Sequence, residues 1–125
     1  MITVPSFLLR RLYLKGSLRN IDREVQFQLV NKLGAGYARR LFPLVLDGEE
    51  VPIEHCFFSV NGTQLPFDAV SDEMPFTLDL NKTTTITIKG ITLTNEPHRI
   101  QMGFSCIKVG SQMGHAIYIF RVSLR

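Results

Sequence analysis

Polar and apolar residues alternate along most of this chain, while the three-to-four spacing of an amphipathic helix is nearly absent. In EVQFQLVN (24–31), Val25, Phe27 and Leu29 alternate with Gln26 and Gln28, which predicts a strand with one buried face. HRIQMGFSCIKV (98–109) sets Ile100, Met102, Phe104 and Cys106 against Arg99, Gln101, Gly103 and Ser105. AIYIFRVSL (116–124) is partly apolar on both faces, as in a central strand or one covered by a partner. TTTITIKG (83–90) is β-branched almost throughout. Residues 12–19 and the stretch YARRLFPLVL (37–46) also read as strands.

The turn residues agree with this pattern. LDGEE (46–50) and VNGTQ (60–64) carry Asp-Gly and Asn-Gly, whose readiness to adopt positive φ makes them strong hairpin signals. They belong to an internal echo, because LDGEEVPIE (46–54) matches VNGTQLPFD (60–68) fourteen positions later. Pro52 and Pro66 lie in the returning arms. Proline has no N–H for a central ladder, so these arms should be sheet edges or leave their sheet there. DAVSDEMPF (68–76) offers a single turn at most, and another short turn is possible at 5–11. The expected fold is all-β: one domain over residues 1–125, an antiparallel β-sandwich of jelly-roll kind with seven to nine strands.

Length and composition narrow the class. A chain of 125 residues, 45% apolar, can build one sandwich core or cover part of its apolar surface with another subunit. The net charge of +3 is unevenly spread. Residues 1–40 hold eight basic and two acidic side chains, net +6, and the rest of the chain is net −3. Such a basic third suits an acidic protein surface, an anionic ligand or nucleic acid. Nucleic-acid binders add an aromatic platform or a reading helix, and neither is visible here. Arginine outnumbers lysine nine to five, which favours a protein partner. Cys56 and Cys106 both sit among apolar neighbours and read as buried free thiols. The longest apolar run, LFPLVL (41–46), is too short to span a bilayer, and LRRLYLK (9–15) lacks the apolar stretch an export signal requires. The expected location is cytoplasmic.

Candidate chemistry is sparse. LGAGYARR (33–40) suggests a phosphate loop, but the third glycine of the dinucleotide fingerprint is missing and a strand follows where a helix is needed. A glycine-permitted bend or bulge between strands is the better reading. His55, His98 and His115 are isolated in sequence; converging from three strands they could hold a metal, although the close His-x-His pair of cupin sites is lacking. A His55–Cys56 nucleophile pair is poor, because adjacent strand residues point to opposite faces. Glu49, Glu50 and Glu54 at the first corner, and Asp68, Asp72 and Glu73 further on, could form a glycosidase-like pair but read more simply as solvated loops.

A succession of segments carries a family resemblance: PSFLLRRLYLKGSLRN, FQLVNKLGAGYARRLFPLVLDGEEVP, FSVNG, PFTLDLN and PHRIQMGF. Over Pro5 to Phe104, and best over Phe7–Asn20 and Leu33–Pro52, the chain resembles the small β-subunit of bacterial C-glycoside deglycosidases. The resemblance implies a β-sandwich subunit bound to a larger TIM-barrel α-subunit of sugar isomerase/epimerase type. That complex cleaves the carbon–carbon bond between a 3-keto sugar and a flavonoid-type aglycone. It also implies that the catalytic groups and a divalent metal, manganese, belong to the partner, with no cofactor, metal ligand or catalytic residue in this chain. The chain would support the barrel and help close its pocket.

For the contact with such a partner, charge and aromatic enrichment single out Phe7, Arg10, Arg11 and Tyr13, and Tyr37, Arg39 and Arg40 after the glycines. Two other functions compete. A carbohydrate-binding sandwich would stack sugars on exposed aromatics, and the absence of tryptophan weighs against it. A stand-alone metal enzyme would need the three histidines together.

Overall fold

The structure, a computed structural model, describes residues 2–3, 13–30, 36–71, 73–78, 81–94, 96–109 and 112–122, of which 2–3, 36–37, 78, 104–109 and 112–122 are described by their backbone alone. The strands are β1 (Ile2–Thr3), β2 (Arg19–Ile21), β3 (Glu24–Val30), β4 (Gly36–Leu41), β5 (Val45–Leu46), β6 (Glu49–Glu50), β7 (Cys56–Val60), β8 (Thr63–Pro66), β9 (Phe76–Leu78), β10 (Thr83–Lys89), β11 (His98–Val109) and β12 (Gln112–Val122). The expected all-β, antiparallel fold is present. The tally exceeds nine because β1, β5 and β6 are strands of only two residues each.

Two sheets divide these strands. The first runs β1-β12-β11-β4-β9, with β5 joined to β11 and β6 to β5. All its pairings are antiparallel except that of β1 with β12. The second runs β2-β3-β10-β7-β8 and is antiparallel throughout. One apolar core joins them. Val25, Phe27, Leu29, Ile86, Ile88, Cys56 and Phe58 come from the second sheet, and Ala38, Leu41, Phe76, Ile100 and Met102 from the first. Alternation puts them there: β3 is buried at every second residue. Each fully buried large apolar side chain contributes roughly 1.5–3 kcal/mol. Phe58 links the sheets through an edge-on contact with Phe76, ring centroids 5.0 Å apart.

The echoed segments fold alike. Asp47–Gly48 (φ 52° and 87°) and Asn61–Gly62 (φ 55° and 81°) form the two-residue turns between β5 and β6 and between β7 and β8. Pro52 and Pro66 then each precede a single 3-10 turn, Ile53–His55 and Phe67–Ala69, again fourteen positions apart. Pro66 ends β8, an edge strand, and Pro52 follows β6 where the chain leaves its sheet, as the missing N–H requires.

Local details depart from expectation. Residues 12–19 do not make a continuous strand. Tyr13 forms an isolated bridge to Leu29, a turn at Lys15–Gly16 follows with Gly16 at φ 85°, and β2 starts only at Arg19. The β2–β3 hairpin turns on Asp22 and Arg23, both at positive φ without a glycine. The 37–46 stretch is split by Pro43 into β4 and β5. Within β4 the register shifts: Arg40 pairs with Ser105 but Ala38 with Cys106, leaving Arg39 as the extra residue of a bulge. Both Ala38 and Leu41 are therefore buried, a spacing that plain alternation forbids. The bulge foreseen at the glycines thus lies at Arg39. Gly36 merely opens β4, and Gly34 lies outside the described residues, as does the possible turn at 5–11.

One connection ties the sheets at their rim. Residues 91–94 leave β10 and run past β2, where the Asn20 amide donates to the Leu93 carbonyl at 2.9 Å and accepts from the Leu93 N–H at 3.0 Å. Leu93 is thereby held in the core.

Candidate functional site

The best-connected polar cluster among the described residues lies where the first corner meets the start of β11. β5 pairs with β11 through Leu46↔Ile100 and Val45↔Gln101, so Asp47 falls beside Arg99. The Asp47 N–H donates to the Arg99 carbonyl at 2.8 Å, and the Arg99 N–H donates to Asp47 Oδ1 at 2.8 Å. The other carboxylate oxygen, Oδ2, lies 2.8 Å from His98 Nδ1. On the far side of the ring, Nε2 is 3.0 Å from the Thr94 carbonyl oxygen and 3.2 Å from Thr94 Oγ1. The His98 side chain is 10% exposed and that of Asp47 48%.

This geometry assigns the protons. A carboxylate and a backbone carbonyl can only accept, so a ring bonded to both must donate from both nitrogens. With both bonds made, His98 is the imidazolium. Its pKa is raised, first by the hydrogen bond to Asp47, with the Thr94 carbonyl and the charges of Asp47 and Glu96 adding to the effect and partial burial opposing it. The pKa of Asp47 is lowered, first by the Arg99 N–H and then by His98. An Asp–His pair invites comparison with a catalytic dyad, but a general base needs one ring nitrogen facing a substrate. Here both are engaged, and the cluster works as a clamp on the corner.

The histidines do not converge. On the β11–β12 ladder His98 lies opposite Val122 and His115 opposite Ser105. Seven residues at about 3.3 Å each separate those ladder positions by roughly 23 Å. His55 ends a 3-10 turn and is exposed. Among the described residues no group of three or more His, Cys, Asp or Glu side chains could hold a metal. Cys56 is a buried free thiol whose pKa is pushed up, chiefly by burial; the Cys106 side chain lies outside the described residues. Glu49, Glu50, Glu54, Asp68 and Glu73 are exposed.

The interface candidates are distributed between the sheets. Phe7, Arg10 and Arg11 lie outside the described residues, and Tyr37 is described only by its backbone in β4. Tyr13 makes an isolated bridge to Leu29 in β3 of the second sheet, its ring tilted against Phe27 at 6.3 Å. Arg39 and Arg40 lie on β4 of the first sheet, where Arg40 Nη1 donates to the Arg39 carbonyl at 2.9 Å. Sequence reasoning saw Asp47 as a turn residue and His98 as a lone histidine. The Asp-Gly signal was there, but nothing local announced that β5 would pair with β11.

The sequence profile of the family described as "Hydroxymethylglutaryl-CoA reductase, N-terminal domain" matches residues 8–113. The chain belongs to this family. No curated protein matches the chain. Membership of the reductase N-terminal domain family corrects the deglycosidase resemblance, and with it the expected cleavage of a 3-keto glycoside of a flavonoid-type aglycone. Nor does it favour the competing carbohydrate-binding module. The TIM-barrel partner and its manganese were implied by that resemblance alone and lose the support on which they rested. Among the described residues no helix is long and apolar enough to cross a membrane.

Proposed function

We propose that this chain is a docking domain of a hydroxymethylglutaryl-CoA reductase system, lending a β surface to a larger catalytic polypeptide that carries the reacting groups. The observation behind this reading is the family match over residues 8–113. The clamp is compatible with it, since His98 spends both ring nitrogens on the fold. The partner is a protein with an acidic surface, because the first 40 residues carry net +6. Tyr13, Arg39 and Arg40 are the described residues we assign to that contact, with Phe7, Arg10, Arg11 and Tyr37 beside them in sequence. The buried, unbridged Cys56 suits a reducing compartment, and we place the chain in the cytoplasm.

The test is to coexpress the chain with a hydroxymethylglutaryl-CoA reductase catalytic polypeptide and weigh the complex. Thioester reduction is then followed by release of the CoA thiol with a nicotinamide reductant supplied. A stable complex whose turnover or stability differs from that of the catalytic polypeptide alone is expected. Reduction by this chain alone, or no association at micromolar concentration, overturns the reading.

A further inference from the structure

We propose that His98 is a proton-operated latch on residues 91–94: protonated, it holds the Thr94 carbonyl; on losing its Nε2 proton it releases that carbonyl and loosens the strap that seats Leu93 in the core. The inference stands on the clamp geometry and is independent of the docking reading. The strap has two polar anchors, Asn20 on Leu93 and His98 on Thr94. The first does not titrate. The second does, and the neutral ring, with one N–H, cannot donate to both of its acceptors. The carboxylate keeps the proton on Nδ1, so Nε2 loses its own and turns a lone pair toward the Thr94 carbonyl.

Thr94 Oγ1, at 3.2 Å, offers the neutral ring a substitute. Its hydroxyl can rotate and donate to the bare Nε2. The side chain then stays attached while the backbone carbonyl comes free, and the latch slackens without falling open. Among the described residues, the charged groups that bear on the ring are Asp47 from the β5–β6 turn and Glu96 from its own connection. Arg99 alternates to the other face of β11, and β12 places the uncharged Val122 opposite. The groups bearing on the ring are anionic, so they favour the closed latch, which opens only as the ring titrates.

The test uses the whole chain, with NMR titration of the His98 ring and amide hydrogen exchange at Leu93 from pH 5.5 to 9. After correction for the base catalysis of exchange, protection at Leu93 should fall about tenfold as His98 titrates, the loss of one charge-assisted hydrogen bond. The amide of Ile86 in β10 serves as the internal reference and should not follow the ring. Thr94→Val removes the substitute donor, so its Leu93 response should be larger than that of the wild type over the same range. His98→Gln should show no step. A ring that titrates with no change at Leu93 overturns the latch. So does a Leu93 step that persists in His98→Gln, or a Thr94→Val response smaller than the wild type.

Discussion

The two echoed corners share a turn, a proline and a 3-10 turn, yet they are fixed to the protein by opposite means. The second corner is anchored by apolar burial. Phe67, in its 3-10 turn, is 1% exposed and its ring lies tilted against Phe58, centroids 6.3 Å apart. The equivalent residue of the first corner, Ile53, is only partly buried. The first corner is anchored instead by charge. Asp47 reaches both Arg99 and His98, where the second corner has the neutral Asn61. Strand length explains the need. β5 and β6 have two residues each and little ladder of their own, while β7 and β8 have five and four. One sequence pattern thus specifies a local shape and leaves open how that shape is held.

The sharpest way to break this contrast is to remove the apolar anchor. Phe67→Ala should cost about 3–5 kcal/mol and Ile53→Ala about 1–2 kcal/mol, read by urea denaturation. Equal losses would mean that the corners are anchored alike. The charged anchor is tested by making the first corner resemble the second. Asp47→Asn keeps a residue that tolerates positive φ and still accepts from Arg99, but removes the charge; it should cost about 1 kcal/mol at pH 6. The reverse change, Asn61→Asp, should stay within about 0.5 kcal/mol.

The same contrast should appear as a pH dependence. The raised pKa of His98 gives stability that is complete below its ordinary value and is lost as pH rises through the folded value. The lowered pKa of Asp47 gives stability present above its ordinary 3.8 and lost as pH falls through the folded value. The clamp is therefore strongest between the two, and denaturation midpoints of the wild type should decline on both sides of that window. Asp47→Asn should flatten both limbs, and Asn61→Asp should leave the alkaline limb as it is. The third two-residue turn has neither anchor and carries Arg23 at φ 65°. Arg23→Gly should stabilise the protein by about 0.5–1 kcal/mol, visible as a rise in Tm.

Strands β3 and β11 were legible in the sequence because burial on one face writes alternation into it, and β10 because it is β-branched almost throughout. The corners were legible because Asp-Gly and Asn-Gly carry their turn chemistry locally. The Asp22–Arg23 hairpin was not, since its backbone adopts positive φ without the residues that ordinarily announce it. The clamp was hidden because 51 positions separate Asp47 from His98, and the register that unites them is decided by the whole sheet. The mistaken family has a related cause. The segments that suggested it are hairpins and alternating strands, features that any sandwich of this kind must have, and they speak for a fold rather than for an activity.

The bulge at Arg39 places an unusual constraint on the chain. Its extra residue shifts the phase of β4, so that Ala38 and Leu41 both face inward. For the phase of the strand, what must be kept at that point is a residue count. Losing the position altogether would turn either Ala38 or Leu41 out of the core. Insertions and deletions should therefore be rarer there than substitutions among natural variants, although Arg39 itself is only half-buried.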